Sequence, residues 1–187
     1  MRKLLALAGL ALVVLMTGCV RSVQPIYTEE DLTFDPGLLG TWLEKDGKDI
    51  WIFEQAGDNA YKLTHLEDGE ETKSATFEAR LVQVGDHQYL DLFPEEPEIK
   101  SSFYKFHLVP VHSFVRLTLQ GDSLCLTALD YDWMSKRIKA REIDLPHVLV
   151  DGDIILSGGP KEIQEFLIGI AEEKSAYCEP NEFQRRN

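Results

Sequence analysis

Residues 74–93 read "SATFEARLVQVGDHQYLDLF". Ala75, Phe77, Ala79 and Leu81 alternate with Thr76, Glu78 and Arg80, the period of two that lines one face of a strand with apolar side chains. Gly85-Asp86 interrupts the run, and "HQYLDLF" resumes it at once. Two strands joined by so short a link pair antiparallel, because a parallel pair needs a crossover of a dozen residues or more.

The same grammar extends in both directions. Upstream, "TWLE" gives way to "KDGKD", "IWIFEQ" ends at Ala56-Gly57-Asp58-Asn59, and "AYKLTHL" stops at "EDGEE". Downstream, Pro94 to Lys100 reads as a loop, and "FYKFHLVPVHSFVRLTLQ" is long enough for one strand kinked at Pro110 or for two strands. Gly121-Asp122 turns the chain into "SLCLTAL", and "HVLV" and "DIIL" flank Asp151-Gly152, a favoured hairpin turn. Eight or nine short strands at regular spacing predict a mainly β fold. The expectation is an antiparallel barrel of about eight strands with one short helix and one amphipathic C-terminal helix; a β-sandwich plus helix is the alternative.

The short helix is expected over "WMSKRIKA", capped by Asp130 or Asp132. The second begins at Gly159-Pro160, where Pro loses nothing by lacking an N–H. Its Ile163, Phe166, Leu167 and Ile170 fall at i, i+3, i+4 and i+7, one apolar stripe for packing on the outside of the sheet. In the stretch after Pro110, Val111, Ser113, Val115, Leu117 and Leu119 form the expected core-facing row. Arg116 then faces outward as a solvated charge; the opposite assignment, with Phe114 and Arg116 inside, would leave a guanidinium to be satisfied there.

The N-terminus carries a different signal. Arg2 and Lys3 precede thirteen uncharged residues, Leu4 to Met16. That run is shorter than the roughly 20 residues of a membrane-spanning helix and has the plan of an export signal. No Ala-x-Ala site follows it. Instead Met16-Thr17-Gly18-Cys19 resembles the bacterial lipobox, with Met16 where Leu is usual. The resemblance implies cleavage between Gly18 and Cys19 and diacylglyceryl attachment to the Cys19 thiol. Residues 1–18 are thus expected to be a signal peptide, 19–33 a lipidated tether, and 34–187 a single domain. By the same resemblance, Val20 rather than Asp after the cysteine implies sorting to an outer membrane, facing the periplasm.

The whole chain has 19 Lys+Arg and 32 Asp+Glu, a net charge of −13. Removing the signal takes away two bases and no acid, so the remainder is more acidic still. Such a surface repels nucleic acid and anionic headgroups, so attachment to a bilayer must come from acyl chains.

Residues that could carry chemistry do not converge. His65, His87, His107, His112 and His147 are scattered; only His107 and His112 lie close, and their odd separation puts them on opposite strand faces. No Cys/His/carboxylate spacing suggests zinc, and no Gly-x-Ser-x-Gly elbow is present. "ILSGGPKEI" matches neither the P-loop nor the dinucleotide fingerprint. Cys125 and Cys178 could pair in an oxidising compartment, though Cys125 reads more simply as a small core residue. No cofactor, metal site or catalytic residue is expected.

Gly40-Thr41-Trp42, after the turn "FDPGLL", resembles the Gly-x-Trp signature of lipocalins and their calycin relatives. Leu129-Asp130-Tyr131 is similar to that family's Thr-Asp-Tyr stretch, with Leu for Thr. The resemblance implies an eight-stranded barrel whose Trp42 crosses the closed end under a stacked Arg. No Arg stands at Leu156 to Gly159, where the family would place it, which leaves Arg185, Arg186 or Arg116 for the role. "VQPIYTEEDLTFDPGLLGTW", "GDNAYKL", "YLDLFPEEPE" and "HLVPVHSF" are similar to a group of bacterial lipoproteins without an assigned activity. Together these readings lead us to expect a non-catalytic envelope module that binds a small apolar or amphiphilic ligand. An accessory protein acting through protein contacts is the alternative.

Overall fold

The computed structural model describes residues 20–186. Its strands are β1 (Arg21–Ser22), β2 (Leu32–Thr33), β3 (Gly40–Glu44), β4 (Ile50–Gln55), β5 (Tyr61–Leu66), β6 (Ser74–Val84), β7 (His87–Pro94), β8 (His112–Gln120), β9 (Ser123–Ala128), β10 (His147–Val150), β11 (Asp153–Leu156) and β12 (Asn181–Arg185). The α-helices are α1 (Ser102–Lys105), α2 (Tyr131–Lys139) and α3 (Pro160–Gly169). Strands β3 to β9 form an antiparallel meander, β12 inserts between β3 and β9, and β8 pairs β9. That last pairing closes an eight-stranded barrel, so the sandwich alternative is not adopted. The remaining strands lie on its flanks: β1 joins β8 to the hairpin β10–β11, and β2 pairs β6.

The hairpin turn shows why its sequence was legible. Asp151 and Gly152 both have positive φ, 53° and 91°, as a two-residue turn matched to the strand twist requires.

The barrel wall is buried on both faces. Inside lie Trp42, Phe53, Tyr61, Leu63, Leu81, Leu90, Leu117 and Leu124. Outside, Val82, Tyr89 and Phe114 of the same strands pack against Val20, Ile26, Met134, Ile154, Ile163 and Leu167. Alternate residues of β6, β7 and β8 thus serve two different cores. The α3 stripe is placed as its spacing implied: Ile163 and Leu167 are fully buried, and Phe166 and Ile170 pack at the margin. At its start the Gly159 N–H donates to Glu162 Oε2 at 2.8 Å. For α2 the cap is Asp130, which accepts from the Trp133 N–H at 2.8 Å.

Two expectations change. The stretch from Phe103 to Gln120 is not a kinked strand: Ser101 caps the short α1, and β8 starts only at His112. Its partner β7 ends at Pro94, and Pro97 follows, so no ladder is available to hold residues 103–111 extended. Residues 20–33 do not stand off the domain as a spacer. Val20 is 1% exposed and Ile26 0%. These two apolar side chains complete the outer core, while Asp91, itself buried, accepts from the Ile26 N–H at 3.0 Å and meets His112 Nδ1 at 2.7 Å. Gly18, Cys19 and the signal segment lie outside the described residues.

Candidate functional site

The two ends of the barrel are built differently. At the end where β3 begins, the turn Pro36–Leu38 folds beneath the strands, with Asp35 accepting from the Gly37 N–H at 2.7 Å. Leu38 and Trp42 are 0% exposed, and Trp42 Nε1 donates to the Leu38 carbonyl at 2.8 Å. Arg185 lies over the Trp42 ring at 4.4 Å and donates to the carbonyls of Leu39 and Gly37. Its Nε is 3.1 Å from Asp122 Oδ1. Arg185, near the end of the last strand, therefore fills the role that the Gly-x-Trp resemblance left to three arginines. Gly40 is required here: its φ is +118°, and a Cβ would sit 2.9 Å from Arg185 Nη1. Phe34 stacks on Tyr61 at 4.8 Å, and the Tyr61 hydroxyl accepts from the Asp35 N–H at 2.7 Å. Burial pushes the Tyr61 hydroxyl above its ordinary pKa. This end is stoppered.

At the opposite end the inner wall is within reach of water. Strand pairing places Trp51 opposite Trp42, His65 opposite Trp51, and Phe77 opposite Leu63. Farther round, Leu92 is opposite Ser113 and Val115 opposite Ala128. These residues share the inward face with buried Trp42, Leu63 and Leu117 by the two-residue period. Yet Trp51, Phe77, Ser113, Val115 and Ala128 are only half-buried. Leu92, Leu126 and Phe183 of the same inward face are buried. Trp51 packs against Phe183 at 5.6 Å and meets the His65 ring at 5.7 Å. His65 Nε2 is 2.9 Å from Asp49 Oδ2, and Asp49 Oδ1 accepts from the Asp68 N–H at 2.9 Å. The result is a patch of half-buried apolar side chains on the inward face, bordered by the polar His65–Asp49 pair.

Trp51, His65 and Asp49 were not singled out from sequence. Alternation in "IWIFEQ" marked a strand, but which face looks inward depends on its register across "KDGKD", a property of the closed barrel.

The other candidate residues do not converge on a second site. His107 binds the Phe103 carbonyl and His112 binds Asp91, so the closest histidine pair in sequence is split between a loop and the barrel wall. Cys125 is a free thiol in β9, so the Cys125–Cys178 bridge is absent; Cys178 Sγ approaches the Leu129 carbonyl at 3.8 Å. Among the described residues no group of three His, Cys, Asp or Glu could hold a metal, and no helix is long and apolar enough to cross a membrane. An open hollow of about 470 Å³ lies beside α2. In its lining Asp130 caps the helix and Arg137 covers the Trp133 ring at 4.7 Å while pairing with Glu142 at 3.0 Å, whereas Trp133 Nε1 is buried without a hydrogen-bond partner.

Arg116 corrects an expectation. It does face away from the barrel interior, but it is not a solvated charge. Both Nη atoms donate to the Ala171 carbonyl, at 3.1 and 2.8 Å, and the guanidinium lies 4.2 Å from the centre of the Tyr177 ring. Its Nε is buried without a hydrogen-bond partner. The Tyr177 hydroxyl in turn meets that of Tyr89 at 2.9 Å; burial, with this contact, raises the Tyr89 pKa. Arg116 is a clasp between the wall and the C-terminal layer.

Comparison with protein-family models, with curated proteins and with solved structures returns no match to this chain.

Proposed function

We propose that this chain is a bacterial envelope lipoprotein, anchored through acylated Cys19, whose barrel binds a small apolar or amphiphilic ligand at its open end without catalysing a reaction. The observation that carries the binding half is the contrast along the barrel axis: a stoppered end, and an end whose inward-facing Trp51, Phe77 and Val115 remain accessible. An eight-stranded barrel has room for its own side chains or for one small ligand. The anchoring half rests on the Met16-Thr17-Gly18-Cys19 lipobox and its charged, apolar leader, and Val20 after the cysteine favours the outer membrane. The lipoprotein group named above is the kindred that this reading implies.

Extraction of the full chain from its host membrane and native mass spectrometry tests both halves. An acylated Cys19 and a co-purifying small molecule are expected. Cys19→Ala should remove the acyl mass and release the protein in carbonate wash; a wild-type chain without acyl mass would refute the anchor, and one with no bound molecule would weigh against the ligand.

A second reading, an accessory protein working through protein contacts, is favoured by one feature. Phe103, Phe106 and Val109 are 77%, 81% and 75% exposed on the β7–β8 connection. Exposed apolar clusters of this kind mark interaction surfaces.

A further inference from the structure

One peptide link separates Cys19 from the barrel. Cys19 lies outside the described residues, but Val20 follows it, and Val20 is sealed into the outer core at 1% exposed. Consecutive Cα atoms are about 3.8 Å apart, so no spacer stands between the domain and the thiol of the lipobox. In an acylated chain, the surface where residue 20 meets the barrel wall is held against the bilayer. Strand pairing identifies that surface. Arg21 lies opposite Ser113 of β8 and Ile155 of β11, and Ser22 lies opposite His112 and Leu156. Strand β1 thus sits between the start of β8 on one flank and the hairpin β10–β11 on the other.

Both flanks expose apolar side chains that folding leaves in water. On the β8 side, Phe103, Tyr104, Phe106, Leu108 and Val109 are all exposed. Val109 stands three residues before His112, at most about 10 Å along the chain. On the other side, Val148 pairs with Ile155, which pairs with Arg21, so Val148 is about 10 Å from Arg21 at the usual strand spacing. Val148, Leu149 and Val150 of this edge strand are exposed, and so is Val23 next to β1. The charges permit a close approach. Residues 20–28 and 99–121 contain no acid, in a chain with 32 Asp+Glu, and the β1–β8 pairing brings these two stretches together. Of the nearest carboxylates, Glu96 pairs with Lys105 and Asp153 with Arg21, while Glu95 and Glu98 precede the loop. Contact at this corner therefore rests on apolar area and not on attraction to anionic headgroups.

Resting on the anchoring reading above, we propose that this corner is a membrane-contacting face. The bilayer that takes the acyl chains of Cys19 also takes Phe103, Phe106 and Val109 on one flank of β1, and Leu149 with its β10 neighbours on the other. The contact is shallow. Strand β10 has a free edge and the α1 loop is irregular, so neither enters hydrocarbon with its backbone groups unpaired. Their side chains stop at the boundary between headgroups and acyl chains. Tyr104 suits that depth, with an apolar ring and a polar hydroxyl. Because the loop joins the ends of β7 and β8, the contact sets the open end beside the lipid surface. A protein partner would account for exposed aromatics, but not for their place beside the point where the chain meets Cys19.

Photo-cross-linking to lipid tests this on the full chain as purified from its host membrane. The protein is reconstituted in phosphatidylcholine vesicles, part of whose lipid carries a diazirine near the headgroup end of one acyl chain. Peptide mass spectrometry then maps the adducts and reads the mass on Cys19. Adducts are expected on residues 103–109 and 147–150, several-fold above the exposed turn at residues 56–59 near the stoppered end. In Phe103→Ser/Phe106→Ser the yield on the loop should fall several-fold, while that on residues 147–150 persists. An acylated Cys19 with adducts spread evenly, or missing from both segments, overturns the contact and leaves the anchor standing. An unacylated Cys19 overturns both. A loop that takes no lipid in vesicles yet cross-links to a protein in the intact envelope assigns the aromatics to that partner and overturns the contact as well.

Discussion

The stoppered end and the open end of this barrel are made from the same strands, yet they use their inward positions in opposite ways. On β3 and β4, Trp42 is 0% exposed and hydrogen-bonded, while its cross-strand neighbour Trp51 is only half-buried. One tryptophan is held by a hydrogen bond to Leu38 and by the Arg185 guanidinium over its ring; the other has only ring contacts, with Phe53, His65 and Phe183. The lesson is a division of labour: stability is concentrated where the chain turns beneath the barrel, which leaves the mouth free to vary its contacts.

The sharpest way to break that comparison is Trp42→Ala. Removing a fully buried aromatic from a close-packed end leaves a cavity, and the expected cost is about 3–5 kcal/mol. It should appear as a large drop in the denaturant midpoint, with the slope little changed. A loss below about 1 kcal/mol would mean that this end is not the anchor of the fold.

Much of this architecture was legible. The Gly85-Asp86 and Asp151-Gly152 turns, the α3 stripe and the Asp130 cap all follow from local rules, and each was recovered where local rules apply. What escaped were features decided by distant partners. Residues 20–33 look like a spacer because β1 and β2 are two residues long and draw their hydrogen bonds from β8, β11 and β6, far away in sequence. Arg116 looked solvated because its partners, Ala171 and Tyr177, come from the C-terminal layer. The accessibility of the open end was not legible because inward-facing and accessible are separate properties, and only the closed barrel tells them apart.

Arg116 supplies the intermediate test, since it belongs to neither end. Its loss removes a charge-assisted contact to Ala171 and the Tyr177 stack, so Arg116→Ala should cost about 1–3 kcal/mol. A surface charge would cost only a few tenths. Urea titration distinguishes the two, and hydrogen exchange should show the loss centred on residues 171–178. Arg116→Lys should recover little, because a lysine keeps the charge but cannot reproduce the planar stack.

The smallest effect is expected at the open end, and its smallness is the point. Phe103 and Phe106 belong to neither core, and Phe106 is 81% exposed. Their local contacts are with the His107 ring, at 4.7 and 5.4 Å. A Phe103→Ser/Phe106→Ser double variant removes apolar surface that folding never took from water. Stability should therefore change by no more than about 0.5 kcal/mol. Whatever the variant does lose is then a property of the surface and not of the fold. Sedimentation velocity and cross-linking in the intact envelope supply the readout. Unchanged stability with loss of a wild-type cross-linked partner would favour the protein-contact reading. Unchanged stability with loss of a small molecule that co-purifies with the wild type would instead favour the ligand-binding reading. A loss of several kcal/mol would break the comparison itself, by showing that the open end carries weight that its exposure denies.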